Sequence, residues 1–168
     1  NSFAFKEYAN GFKIDGRRLK LSGIGRVPVR WHRPYEGEIK TARIVRKADG
    51  WYVSLAGEIG DPVKLPATGS TVGIDVGLSA LITTSDGEQI APPKHYRKMQ
   101  AKFRRQQRKV SRRKKGGSQR RKAVKILAKQ HQVVERQRKD CLNKIVFNLA
   151  QKHDRIAVED LKISNMAK

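Results

Sequence analysis

Between residues 94 and 125, 16 of 32 side chains are Lys or Arg and none is Asp or Glu. No core can take up that many uncompensated cations, because each unpaired buried charge carries a heavy desolvation penalty. The segment must be solvated surface or an interface with an anionic partner. Its few apolar residues fix its shape: Tyr96, Met99, Phe103 and Val110 fall at i, i+3, i+7 and i+14, a narrow stripe along one helix. Lys114-Lys115-Gly116-Gly117 breaks that helix. A second helix is expected from about 118 to 152, where Leu127, Val134 and Cys141 lie seven apart and Ile145 and Leu149 continue the stripe. Two narrow seams under strongly basic outer faces predict a helical hairpin over about 94–152.

The rest of the chain is less charged. Residues 1–70 carry 13 basic and 7 acidic side chains, net +6, and residues 71–168 carry 25 and 8, net +17. The total of +23 over 168 residues calls for a polyanionic partner, nucleic acid first and an anionic membrane surface second. One cysteine, Cys141, leaves no disulfide framework and no cysteine zinc site within these residues. No apolar run approaches the roughly 18–20 residues of a membrane span. The chain opens at Asn1 directly in strand-like sequence and reads as an internal piece of a longer one.

Residues 1–66 read as short antiparallel strands. Asn10-Gly11, Asp15-Gly16 and Asp49-Gly50 are hairpin turn signals. Runs such as Arg26-Val27-Pro28-Val29-Arg30-Trp31 and Thr41-Ala42-Arg43-Ile44-Val45-Arg46 alternate polar and apolar, and Pro28 marks an edge or a bulge. Close spacing of such strands predicts a small antiparallel β-barrel. Residues 61–69 look like a link, so the second domain is expected over 67–168. There, Thr71-Val72-Gly73-Ile74-Asp75-Val76-Gly77 and 79–84 are strands, and Asp86-Gly87 turns into Glu88-Gln89-Ile90. After the hairpin, Arg155-Ile156-Ala157-Val158-Glu159-Asp160 reads as a buried strand ending in carboxylates.

Asp75 and Glu159 each close an apolar strand. A carboxylate there is costly to bury unless paired or metal-bound, and two on adjacent strands repel unless a cation lies between them. Hard divalent ions such as Mg²⁺ take oxygen ligands of this kind. Two of them, about 3.5–4 Å apart, clamp the attacking and leaving oxygens of a phosphodiester. The bland reading stands beside this: a lone G-x-D-x-G is often a strand running into a turn, and actin-like ATPases open with such a strand. Those ATPases place Thr or Ser soon after the glycine, whereas Leu78 follows Gly77 here. Asp160 is read as the cap of a following helix. His32, His95, His131 and His153 show no ligand spacing. Trp31, Tyr35, Trp51 and Tyr52 are interleaved with Arg30, Arg33 and Arg46, as in base-stacking surfaces, though at least half of these aromatics belong to the barrel core on this reading.

Taken together, these pieces resemble one family: Asn10-Gly11-Phe12-Lys13-Ile14, Ile24-Gly25-Arg26-Val27, His32-Arg33-Pro34, Gly37-Glu38-Ile39-Lys40, Trp51-Tyr52-Val53-Ser54, Gly73-Ile74-Asp75-Val76-Gly77, Ser111-Arg112-Arg113-Lys114-Lys115-Gly116, Arg138-Lys139-Asp140 and Ala157-Val158-Glu159-Asp160-Leu161. The sequence is similar to the TnpB (OrfB-type) proteins of bacterial and archaeal insertion sequences, relatives of the compact type V CRISPR nucleases. Cys141 and Asn143 depart from the aromatic and histidine common after the Arg-x-Asp piece.

The resemblance implies a mixed α+β fold: a wedge-like β-barrel followed by the first part of an RNase H-like (RuvC) domain that carries the basic hairpin. It implies an RNA-guided DNA endonuclease that binds guide RNA and target DNA at the nucleoid, in the cytoplasm and not on a membrane. Asp75 and Glu159 match the first two catalytic, metal-holding carboxylates, for Mg²⁺ or Mn²⁺. The third carboxylate and a cysteine zinc ribbon are expected beyond this chain, so the chain alone is expected not to cut. Nucleic acid is expected on Arg30, Arg33, Arg97, Arg104, Arg105, Arg108, Arg112, Arg113, Lys114, Lys115, Arg120 and Arg121. The alternatives are an RNA-guided DNA binder or repressor that does not cut, and a transposase-accessory nucleic-acid-binding protein.

Overall fold

A computed structural model describes residues 2–35, 37–61 and 65–160. The fold is mixed α+β, and the chain divides into two compact units, residues 1–64 and 65–168.

Unit 1 holds six strands: β1 (Ser2–Phe5), β2 (Phe12–Asp15), β3 (Arg18–Leu21), β4 (Gly25–Pro28), β5 (Glu38–Arg46) and β6 (Trp51–Glu58). They form two antiparallel three-stranded sheets, ordered β1-β5-β6 and β2-β3-β4. The expected barrel is therefore not found: among the described residues the ladders do not close. The apolar alternation instead packs two separate sheets onto one core, Phe12, Leu19 and Leu21 from one sheet against Ile39, Ala42 and Ile44 from the other. Pro28 ends β4, which is an edge strand, where a missing N–H costs no ladder bond.

The long β5–β6 hairpin is pinned where its backbones cross closely. Gly37 has φ +76°, and a methyl group there would overlap the Glu58 carbonyl. Gly57, across the ladder, similarly has the Glu38 carbonyl where its Cβ would go. Gly37→Ala is expected to destabilise unit 1 by at least about 1–2 kcal/mol from handedness alone, with the overlap in addition. Thermal unfolding of the variant measures this, and an unchanged midpoint would refute the close approach.

Unit 2 is one sheet and one hairpin. Its strands are β7 (Thr71–Asp75), β8 (Ile82–Thr84), β9 (Gln89–Ile90) and β10 (Arg155–Val158), in the order β10-β7-β8-β9. β7 pairs antiparallel with β8 and parallel with β10. Between β9 and β10 run α1 (His95–Ser111) and α2 (Ser118–Lys152). Phe103 and Val110 on α1 and Val134, Ile145 and Leu149 on α2 bury as the spacing predicts, joined by Ala123, whereas Met99, Leu127 and Cys141 are half-buried and Tyr96 is exposed. His131 stacks flat on Phe103, with ring centroids 4.3 Å apart, and Phe103 on Tyr96 at 5.3 Å, zipping the two helices together. The far end of α2 sits on the sheet through Ile145 and Leu149 against Ile82, with Cys141 packed at the margin.

β10 forms where expected but is not buried. Ile156 is 37% and Val158 62% exposed, because β10 is a sheet edge and the α2 contacts lie on Ile74, Ile82 and Ile90 of the other strands. The helix expected after Asp160 and part of the 61–69 link lie outside the described residues.

Candidate functional site

The β7–β10 ladder runs from Arg155 opposite Thr71 to Val158 opposite Ile74. One residue further along each strand stand Glu159 and Asp75. Parallel pairing in this register therefore puts the two carboxylates abreast at the carboxyl ends of adjacent strands. Both line one open hollow, with Thr83, Thr84 and Ser85 on its far side. Ser85 shapes that wall: its N–H donates to the Gly73 carbonyl at 2.8 Å, and its Oγ accepts from the Gly73 N–H at 3.1 Å. Asp75 and Glu159 are exposed, so the burial penalty invoked from sequence does not act on them here. What remains is a pair of oxygen donors side by side in water.

Two carboxylates and neighbouring hydroxyls form a hard-oxygen set that suits Mg²⁺ or Mn²⁺, ions that keep several water ligands when few protein groups reach them. Among the described residues, no group of three or more His, Cys, Asp or Glu is placed to hold a metal ion.

At the opposite end of the same strand pair lies a contact that the sequence reading missed. Asp154 accepts the Thr68 and Gly69 backbone N–H groups at 2.9 and 2.7 Å and the Thr68 hydroxyl at 3.0 Å. These hydrogen bonds, the Thr68 N–H first, hold its carboxyl below the ordinary carboxylate range. Asp154 gives no local signal, because its partners lie more than 80 residues away. A carboxylate with a depressed folded pKa contributes stability that is present above the unfolded value, about 3.9. That contribution fades as pH falls through the folded one. Asp154→Asn is therefore expected to lower the melting temperature at pH 7, and the gap should close as the buffer is taken below about pH 4. A gap constant with pH would show that charge plays no part.

The cations divide by environment. Arg97, Arg104, Arg105 and Arg108 on α1, Arg112 just past its end, and Lys114, Lys115 and Arg121 near the turn are exposed. The seven- and four-residue spacing of Arg97, Arg104 and Arg108 aligns them on one face of α1, away from Phe103 and Val110. Two others hold the turn instead. Arg120 donates to the Val110 carbonyl at 2.9 Å and the Arg113 carbonyl at 3.3 Å, and Arg113 donates to the Gln119 carbonyl at 2.6 Å. The Arg120 bonds tie α2 to the end of α1 and to the turn, and the Arg113 bond ties the turn to the first residues of α2. Arg120→Gln is expected to cost the hairpin about 1 kcal/mol, read as faster amide exchange at the turn. Protection equal to wild type would show these bonds to be idle.

In unit 1, Arg30 and His32 line a groove walled by Leu19, Val29, Ile44 and Val53, while Arg33 is exposed outside it. Trp51, 58% exposed, stands on that groove with the Arg46 guanidinium 5.7 Å from its ring centre. Trp31 instead packs against the core, and its indole N–H donates to the Gly16 carbonyl at 3.0 Å. Of these aromatics, Trp31 thus takes the core role, while Trp51 stays on the surface. No helix among the described residues is long and apolar enough to cross a membrane.

Residues 54–168 match the family model OrfB_IS605, described as "Probable transposase". The chain is 31% identical over 163 residues to an Escherichia coli (strain K12) protein named "Putative RNA-guided DNA endonuclease InsQ". It is 40% identical over 144 residues to a Streptomyces pristinaespiralis protein named "Putative RNA-guided DNA endonuclease". Those alignments cover 96% and 83% of this chain, and 40% and 35% of the two relatives.

Proposed function

From the premise that the chain belongs to the OrfB/IS605 transposase family, we propose that it supplies the first two carboxylates and the basic grip of an RNA-guided, metal-dependent DNA endonuclease. The observation that carries this reading is the placement of Asp75 and Glu159 abreast at the ends of parallel β7 and β10. On this reading unit 2 is the opening portion of a RuvC-like, RNase H-type domain. Asp75 and Glu159 hold Mg²⁺ or Mn²⁺, which supplies Lewis-acid stabilisation of the scissile phosphate when bound. The chain's own residues do the rest. The two carboxylates fix where the cation sits, and Ser85, bonded to Gly73, keeps the hollow open beside them. The exposed arginines of α1 hold nucleic-acid backbone by charge alone, leaving sequence choice to base pairing between guide and target. The partners are a guide RNA and a target DNA, and the work is done at the nucleoid.

The test uses the whole protein. RNA that copurifies with it is sequenced, and DNA complementary to one end of that RNA is offered with Mg²⁺. Cleavage that chelation abolishes is expected. Tight RNA-dependent DNA binding without cleavage would favour the non-cutting alternative. The 168-residue chain alone, with two carboxylates at its site, is expected to cut at no more than a trace; robust cutting by it would overturn the ligand count.

A further inference from the structure

The register that brings Asp75 and Glu159 abreast needs a cause, and the usual ones are missing. An antiparallel pair takes its register from a tight turn, but β7 and β10 are parallel and separated by the whole α1–α2 hairpin. Burial is the other common determinant, since a slip of one residue moves apolar side chains from core to solvent. All four residues of β10 are exposed, so burial penalises such a slip weakly. A slip would nonetheless turn Glu159 to the opposite face of the sheet from Asp75.

The determinant lies at the other end of the ladder. Asp154 Oδ1 accepts the Thr68 N–H and hydroxyl, and Oδ2 accepts the Gly69 N–H. The Asp154 and Arg155 N–H groups both donate to the Ser70 carbonyl, at 2.9 and 3.3 Å. His153 Nδ1 lies 2.7 Å from Ser70 Oγ. Three consecutive residues entering β10 are thus tied to three consecutive residues entering β7. No displaced register can satisfy all of these bonds together.

We propose that Asp154 is a positioning residue, clamping the entry of β10 to the entry of β7 so that Glu159 emerges beside Asp75. Its use to a bound cation rests on the metal reading above, whereas its hold on the register does not. Asp154→Asn keeps the size but replaces one acceptor oxygen with an NH₂ group facing N–H donors. Asp140→Asn is the control, removing one exposed carboxylate whose partner is Lys144, on the helix rather than at the ladder.

Both variants are made in the 168-residue chain and read in two ways. The first is amide exchange along β7 and β10. Asp154→Asn is expected to speed it at least tenfold at 155–158, with the β5–β6 hairpin and the middle of α2 unchanged. The second is Mn²⁺ titration, followed by paramagnetic broadening of the Asp75 and Glu159 signals. Asp154 touches neither carboxylate, but a ladder free to slip would part them, and a loss of at least about tenfold in affinity, the low end of what loosening a ligand's support costs, is expected. Exchange and Mn²⁺ affinity both equal to the Asp140→Asn control would overturn the proposal. A loosened ladder with unchanged Mn²⁺ affinity would also overturn it, leaving Asp154 a stabilising contact only. Mn²⁺ that never reaches Asp75 and Glu159 in the unmutated chain would overturn the metal reading, while the exchange arm would still decide the clamp.

Discussion

Asp75→Ala or Glu159→Ala is expected to abolish Mg²⁺-dependent DNA cleavage by the whole protein while leaving RNA binding near its original level. Each substitution removes half of the oxygen pair that the β7–β10 register assembles. Losing an outer partner of a metal ligand alone costs 10–100-fold, so losing a ligand should cost more than about 100-fold in rate. Nothing else should change, because both side chains are exposed, bury no apolar surface and carry none of the positive charge. Cleavage within a few-fold of wild type, at equal RNA loading, would place the chemistry elsewhere.

The second large effect concerns the hairpin and can be measured on this chain. Replacing Arg104, Arg105, Arg108 and Arg112 by Gln keeps helix propensity and removes four exposed cations, three on α1 away from the buried Phe103 and Val110 and one at its C-cap. Each phosphate neutralised contributes about 0.7 to the slope of log affinity against log salt on single strands. If all four touch backbone, the slope should become shallower by roughly 3. The unsubstituted chain, with six to ten contacts, is expected to lose about 10³–10⁵ in affinity between roughly 50 and 200 mM salt. Arg113 and Arg120 are left in place because they hold the turn. An unchanged slope in a variant of unchanged helicity would show that α1 faces solvent.

This separation of arginines was invisible in the sequence. A run of 16 cations tells that the surface is basic, but not which guanidinium reaches back to a carbonyl of its own turn. The hairpin itself was legible, since the spacing of Phe103, Val110, Val134, Ile145 and Leu149 needs only one helix and one side to bury. The carboxylate pair was legible for a similar reason: each is the first charge after an apolar strand. The barrel was misread because closure depends on which distant edges find each other, and alternation within β2, β3 or β5 says only that one face is covered. The exposure of β10 was hidden by the same ambiguity, for Ile156-Ala157-Val158 has the same composition whether or not this chain covers it. Asp154 gave least warning, being one acidic residue whose partners, Thr68 and Gly69, are brought to it only by the fold.

α2 has 35 residues, about 52 Å at 1.5 Å each. It is seated on the sheet at its carboxyl end by Ile145 and Leu149 and passes through His153 directly into β10. That makes it a lever seated on the sheet at one end, with its other end at the 112–117 turn. A tilt of about 5° about the pivot sweeps the tip through roughly 4–5 Å while the last turn moves by less than about 1 Å. On the proposed reading, a basic tip carried this far from its seat would follow a bent or irregular polyanion over several ångströms, with little displacement at the base of α2.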